Sequence, residues 1–226
     1  MVAHELRNPL MPMRTATELL EKARSDDAML GRLQVFLRRQ IGYMSRLIDD
    51  LLDGARASTG KFRLEHAPVD MKAILDQAAD ACRPAIVLRK QRFTMRTAPL
   101  DFYVWGDAMR LTQVIADLLD NASKYTLNGG NIELEAVADT AVLTVTAADD
   151  GIGITSDALP RIFDLVEQES HATAHHSGGL GIGLSIVREL TEAHGGAIVA
   201  NSRGKGLGSK FAVKLPRELA ERRPQV

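Results

Sequence analysis

A chain of 226 residues, 45% of them hydrophobic, suits one large or two small domains and carries ample apolar material for a core, which excludes a disordered protein. A formal net charge of −1 and a pI near 6.6 give no electrostatic footing for nucleic acid or an anionic membrane, so neither is expected as a partner. The single cysteine, Cys82, cannot form an internal disulfide and reads as a small buried hydrophobe, which fits a reducing cytoplasm. No signal peptide is visible and no apolar run approaches the ~18 residues that span a bilayer. The sequence is therefore expected to be a soluble, cytoplasmic piece with no direct membrane contact.

The first element is a helix that opens with His4-Glu5-Leu6-Arg7-Asn8-Pro9-Leu10. Glu5 is placed to hydrogen-bond one ring nitrogen of His4 and leave the other as a nucleophile. Asn8, four residues on, shares a helical face with His4 and is suited to orienting a water there. Pro9 has no N–H for the carbonyl of Glu5 and loosens the helix beside the reactive group. A zinc-protease motif would need a second histidine where Asn8 stands, and an ordinary surface histidine is the other alternative.

Leu6, Leu10, Met13, Thr17 and Leu20 recur at spacings of four and three, one stripe of a helix suited to coiled-coil-like packing. Ser25-Asp26-Asp27 breaks it, and a second stripe follows at Leu30, Leu33, Leu37, Ile41, Met44, Ile48, Leu51 and Ala55. Two such helices form an αα-hairpin whose stripe would be left exposed in a single copy. Pairing of two copies into a four-helix bundle is the economical solution, with the bundle as the scaffold that presents His4.

Ser58-Thr59-Gly60-Lys61 ends the hairpin, and from about Pro68 the pattern turns to mixed α and β. Val69 to Ala81 reads as a helix, Phe93–Arg96 and Tyr103–Trp105 as strands, and Asp107 to Tyr125 as a long helix capped by Asp107. Ile132–Val137 and Ala141–Thr146 read as neighbouring strands turned at Ala138-Asp139-Thr140. A helix over Ile182–His194 stopped by Gly195-Gly196, and strands at Ile198–Asn201 and Lys210–Leu215, complete an α/β sandwich of one sheet covered by helices.

Four segments of this second part carry chemistry. On the long helix Gln113, Asp117, Asn121 and Lys124 fall on one face and Val114, Ile115, Leu118, Leu119 and Ala122 on the other. The apolar side is core, the Asn121 carbonyl suits a hard cation such as Mg²⁺, and Lys124, one turn on, is placed for phosphate. In Asp149-Asp150-Gly151-Ile152-Gly153-Ile154, Gly151 and Gly153 permit backbone conformations closed to other residues. A buried Asp149 there accepts from an adenine amino group, with Ile152 and Ile154 against the base; a generic Asp-Gly turn is the alternative. Arg161-Ile162-Phe163-Asp164 leads into a polar stretch to Ser177 containing His171, His175 and His176, which reads as a mobile lid rather than a metal site. Gly179, Gly181 and Gly183, in Gly178-Gly179-Leu180-Gly181-Ile182-Gly183-Leu184, open directly into a helix whose free amides and positive end cradle phosphate. A dinucleotide fingerprint would need a GxGxxG spacing and a preceding strand.

The stretch from His4 to Leu10 resembles the phospho-acceptor box of sensor histidine kinases. The four later segments, in this order, resemble the nucleotide boxes of the histidine kinase ATP domain, a domain shared with gyrase, heat-shock chaperone and mismatch-repair ATPases. The resemblance covers essentially the whole chain. It implies an α+β protein in which residues 1–66 form the dimerisation and phosphotransfer hairpin, 67–219 the α/β sandwich ATP-binding domain, and 220–226 a tail. It further implies Asn121 as metal ligand, Lys124 as phosphate contact and Tyr125 beside the nucleotide, with Asp117, where the family often has Asn, placed to bind the metal or a metal-bound water.

ATP and Mg²⁺ are the implied cofactors. The implied activity is ATP-dependent phosphorylation of His4, with Glu5 as base and Asn8 serving a phosphatase activity, followed by transfer to an aspartate of a response-regulator receiver. The implied assembly is a homodimer through the hairpin. An ATP-driven conformational clamp of the same superfamily, or a silent docking or phosphatase module, would lack phosphohistidine or nucleotide binding respectively. Met1 stands only three residues before His4, where the family's first helix begins well upstream, so a fragment of a longer sensor is expected.

Overall fold

The computed structural model describes residues 2–22, 26–57, 64–98, 103–164 and 183–217, and the side chains of residues 2–8, 21–22, 39, 43, 45–47 and 49–57 lie outside that description. Two helices come first, α1 (Val2–Lys22) and α2 (Asp27–Ala57), and they pack against each other. Asp26 starts the second by accepting from the Met29 amide at 2.9 Å. Pro9 and Pro12 both lie inside α1. The apolar stripe is only half closed by this pairing. Leu10, Ile41 and Ile48 remain 48%, 54% and 46% exposed, so one copy of the hairpin does not bury its own stripe.

Beyond residue 63 the chain forms the expected sandwich. A small sheet pairs β1 (Ala67–Asp70) antiparallel with β3 (Tyr103–Gly106), and a five-stranded sheet has the order β2-β4-β5-β7-β6. Its strands are β2 (Arg92–Thr97), β4 (Asn131–Ala138), β5 (Val142–Asp149), β6 (Ala197–Asn201) and β7 (Ser209–Pro216). Only β2 and β4 run parallel. Three helices, α3 (Met71–Leu88), α4 (Ala108–Tyr125) and α5 (Gly183–Ala193), supply the other layer.

The core lies between the layers because the strands alternate. Ile132, Leu134 and Ala136 of β4, Leu143, Val145 and Ala147 of β5, and Phe211, Val213 and Leu215 of β7 are buried on one face. Against them pack Ile74, Leu75 and Ala78 of α3, Val114, Ile115, Leu118, Leu119 and Ala122 of α4, and Ile186, Val187 and Leu190 of α5. Each large side chain so buried contributes about 1.5–3 kcal/mol.

Two elements differ from the sequence reading. The segment read as a helix from Val69 begins instead as β1, because cross-strand pairing with β3 claims Ala67–Asp70 and Asp70 then caps α3 by accepting from the Lys72 amide. The helix also continues past Ala81, through Pro84, to Leu88. Cys82 and Ile86 prolong the buried face of Ala78 and Ala79, while Pro84 sits on the exposed side. Cys82 is buried, as its composition suggests.

Leu119 is fully buried at the centre of α4. Leu119→Ala should therefore cost about 2–5 kcal/mol, the range for a core leucine whose cavity only partly collapses. Urea denaturation followed by circular dichroism measures it, and a loss below ~1 kcal/mol would show that α4 is not the packed centre of the domain.

Candidate nucleotide and phosphotransfer site

The site is built where the C-terminal end of α4 meets the turn after β5. Asp107 caps α4 at its far end, its Oδ1 accepting from the amides of Met109 and Arg110 at 3.0 and 3.2 Å. Along the helix Gln113, Asp117, Asn121 and Lys124 occupy a half-buried face opposite the buried apolar one. Gln113 accepts from the Arg110 guanidinium at 2.8 Å. The Lys124 ammonium lies 5.3 Å from the Tyr125 ring, a cation–π distance that places both beside one another. Asn121 and Asp117 present oxygens one turn apart, a donor set of the kind a hard divalent cation takes.

Asp149 ends β5. Strand alternation, having buried Leu143, Val145 and Ala147, puts Asp149 next on the same inward face, where the core opens. In the ladder it stands opposite Ser209, whose hydroxyl donates to Asp149 Oδ2, while the Gly151 amide donates to Oδ1 at 2.8 Å. Burial is the largest influence on this carboxyl and, despite the two donors, raises its pKa above the ordinary aspartate value. Asp150, its neighbour, behaves in the opposite way. Partial burial works against its charge, but the Asn131 backbone and side-chain amides both donate to it and hold its pKa below the ordinary value.

The turn that follows Asp149 is held by backbone alone. The Ile152 amide donates to the Tyr125 carbonyl at 3.0 Å, and a Cβ on Gly151 would stand 2.2 Å from that same oxygen. On the other side the β6–β7 turn closes over it. The Gly206 amide donates to Ile152 O at 2.7 Å, a Cβ on Gly153 would meet Gly204 O at 2.1 Å, and Gly153 has a φ of +68°. Ser202 staples this turn, its hydroxyl donating to Gly208 O at 2.7 Å and accepting from the Ile154 amide at 2.9 Å.

Tyr125 at the end of α4 and the turn that carries Asp149, Gly151 and Gly153, distant in sequence, are thus brought into contact. Ser202, Ser209, Gly204, Gly208 and Asn131 belong to the same construction and were not singled out from the sequence. Alternating glycines at 204, 206 and 208 between two strands are the signal that marks the closing turn.

Beyond the turn, Ile154, Ile162 and Phe163 pack against the core, and Phe163 meets Phe211 edge-on with ring centroids 6.3 Å apart. Asp164 pairs with Arg188 of α5 at 3.7 Å. Gly183 is the first residue of α5, whereas Gly179, Gly181 and the histidines at 171, 175 and 176 lie outside the described residues. His4, Glu5 and Asn8 lie on α1, with their side chains outside the described part.

This architecture, a mixed sheet backed by three helices with a glycine turn at the end of the second, defines a nucleotide-binding ATPase fold behind a helical hairpin. Residues 106–219 match the family described as histidine kinase-, DNA gyrase B-, and HSP90-like ATPase, and residues 1–60 match the His Kinase A (phospho-acceptor) domain. The chain belongs to the sensor histidine kinases, as the catalytic core that joins these two domains.

It is 31% identical over 219 residues to the signal transduction histidine-protein kinase BaeS of Escherichia coli, covering 96% of this chain and 46% of that protein. To the adaptive-response sensory kinase SasA of Thermosynechococcus vestitus it is 35% identical over 225 residues, covering 96% and 58%. The crystal structure of full-length ShkA in complex with AMPPNP superimposes with a TM-score of 0.70 at 27% identity, over 97% of this chain and 46% of that one. The chain thus spans about half the length of the curated relatives it matches.

Asp149→Asn removes the half-buried charge and keeps the shape. Because burial raises the folded-state pKa of Asp149, this carboxylate costs stability at neutral pH and the cost disappears as pH falls below its raised value. The variant should therefore melt no lower than the parent at pH 7 yet lose ATP binding in calorimetry. In the parent, ATP affinity should begin to fall at a higher pH than an ordinary aspartate would dictate, as protonation takes the charge off the acceptor and turns one of its oxygens into a donor. Undiminished affinity in Asp149→Asn would take Asp149 out of the site.

Proposed function

We propose that this chain uses ATP to phosphorylate His4 and passes the phosphoryl group to an aspartate of a response-regulator receiver. The observation that carries the reading is the union, in one chain, of a phospho-acceptor match over residues 1–60 with a nucleotide fold whose half-buried Asp149 sits on a turn closed by backbone hydrogen bonds.

Asp149 offers its carboxylate to the amino group of adenine, held in place by Ser209 and Gly151. The half-buried face of α4 supplies Asn121 and Asp117 as oxygen ligands and Lys124 as a phosphate contact, with Tyr125 beside the nucleotide. Gly179, Gly181 and Gly183 offer backbone amides at the start of α5 to the phosphates. Mg²⁺, when bound, neutralises charge on the phosphate oxygens. His4 attacks the γ-phosphorus in line, forming a nitrogen–phosphorus bond as the bond to the β-phosphate oxygen breaks and ADP leaves. Glu5 hydrogen-bonds the imidazole and receives its proton. Asn8 orients the water that removes phosphate from a receiver. Positioning and charge neutralisation carry most of the acceleration in phosphoryl transfer, which is why so few reactive side chains suffice.

Residues 1–66 serve as the dimerisation and phosphotransfer unit and 67–219 as the nucleotide unit. The half-exposed Leu10, Ile41 and Ile48 give the hairpin a face for a second copy, and homodimerisation into a four-helix bundle covers it. The ATP-supplied cytoplasm is the compartment this chemistry requires. No helix among the described residues is long and apolar enough to cross a membrane.

Incubation with labelled ATP and Mg²⁺ should yield a phosphoprotein stable in alkali and labile in acid. His4→Gln should abolish the label while ATP binding persists, and label surviving on that variant would overturn the assignment of His4. Leu20→Asp places a charge in the bundle at a cost of several kcal/mol and should give monomers by light scattering. A dimer in that variant would put the interface elsewhere.

A further inference from the structure

Among the described residues of the linker, two adjacent positions meet the nucleotide unit, which α2 also touches along α5. Leu64 packs against the core, and the next amide, Glu65 N, donates to Asp107 Oδ2 at 3.1 Å. β1 then begins and pairs Ala67 with Gly106, the residue before Asp107. The two carboxylate oxygens of Asp107 are divided: Oδ1 caps α4, and Oδ2 holds the linker. Its backbone amide has a third task, donating to Nε2 of His194 at 3.0 Å.

His194 directly follows α5 and is 5% exposed, with Nδ1 bonded to the Leu190 carbonyl at 2.7 Å. A ring that accepts at Nε2 and donates at Nδ1 is neutral, and burial pushes its pKa down accordingly. The fit is close, since a Cβ on Gly106 would stand 2.6 Å from the His194 ring. The ring of His66, also in the linker, lies 5.6 Å from that of His194.

α4 runs from Asp107 towards Asn121 and Lys124, whereas α5 runs from Gly183 towards His194. The two helices pack against each other with their ligand-facing ends at one side and the Asp107–His194 bond at the other. At 1.5 Å per residue, Asp107 stands roughly 20 Å along α4 from Asn121, too far to touch a nucleotide bound there.

We infer that Asp107 is a positioning residue for phosphotransfer, joining the linker from the His4 hairpin to the ends of α4 and α5 and so fixing where the nucleotide unit delivers its γ-phosphate. The inference rests on the proposed kinase reading. It separates two effects that a merely structural residue would move together, nucleotide affinity and the rate of transfer to His4.

Asp107→Asn is the discriminating change. Asn caps a helix as well as Asp does, so its amide oxygen keeps the Met109 and Arg110 bonds, and its NH₂ then faces the Glu65 amide, donor against donor. With the full chain, the ATP Kd and the melting temperature should stay near the parent values. The labelling rate at saturating ATP should fall about 10-fold or more, since misplacement by ~1 Å costs up to ~10²-fold in such reactions. Glu65→Pro deletes the other half of the same bond, and its effect should not add to that of Asp107→Asn.

Hydrogen exchange gives a readout that needs no kinase activity. The Glu65 amide should be protected in the parent and fast in Asp107→Asn. An unchanged labelling rate, a parallel loss of ATP affinity, additive effects of the two substitutions, or a Glu65 amide unprotected in the parent would each overturn the inference. A parent chain that binds ATP but never labels His4 would instead overturn the kinase reading, with the exchange result still deciding the linker contact.

Discussion

Two backbone turns touch with no side chain between them, and the geometry of the domain depends on that contact. The turn after Asp149 is pressed between the last carbonyl of α4 and the glycines of the β6–β7 turn, so closely that a Cβ on Gly151, Gly153 or Gly208 would fall about 2 Å from a carbonyl oxygen. Close approach allows direct amide-to-carbonyl bonds from Ile152 to Tyr125 and from Gly206 to Ile152. These bonds fix the end of the helix carrying Asn121 and Lys124 against the strand that ends in Asp149. Glycine is required here by space, and at Gly153 and Gly208 by positive φ as well.

Within that frame two adjacent carboxylates are driven apart in character. Asp149 points into the open end of the core and is raised by burial, whereas Asp150 points outward and is stabilised as an anion by Asn131, itself bonded to Arg92 across the parallel β2–β4 pair. Environment, rather than residue type, separates the two, and it leaves Asp150 to tie the turn onto the sheet. Ser209 reaches Asp149 only because strand register sets the two opposite each other.

Among the described residues the nucleotide unit has a well-packed core, while the hairpin leaves Leu10, Ile41 and Ile48 half-exposed. That asymmetry follows the two family matches, the ATPase domain over residues 106–219 and the phospho-acceptor domain over residues 1–60. Asp107 and His194 lie where the two parts are joined, on the side of α4 and α5 away from the nucleotide turn.

Local chemistry made much of this legible in the sequence. The 3.6-residue period of Val114, Ile115, Leu118, Leu119 and Ala122 names the buried face of α4, Asp107 announces its cap, and period-two alternation marks β4 and β5. The His4 box and the glycine boxes carry their chemistry in short spacings, so the family could be read before any fold was known. What the sequence could not show were contacts between distant segments. A four-residue stretch at Ala67–Asp70 has no period of its own and became a strand only because β3 lies beside it, and α3 runs through Pro84 because Cys82 and Ile86 find a core to enter. Ser209 on Asp149, Asn131 on Asp150 and Glu65 on Asp107 each join residues 19 to 60 positions apart. Sequence alone determined which segments form helices and strands and to which family they belong, because propensity, periodicity and motif spacing are local. Tertiary structure alone decided which polar groups meet, because hydrogen-bond partners across a sheet or between helix ends are set by register and packing, which no single segment encodes.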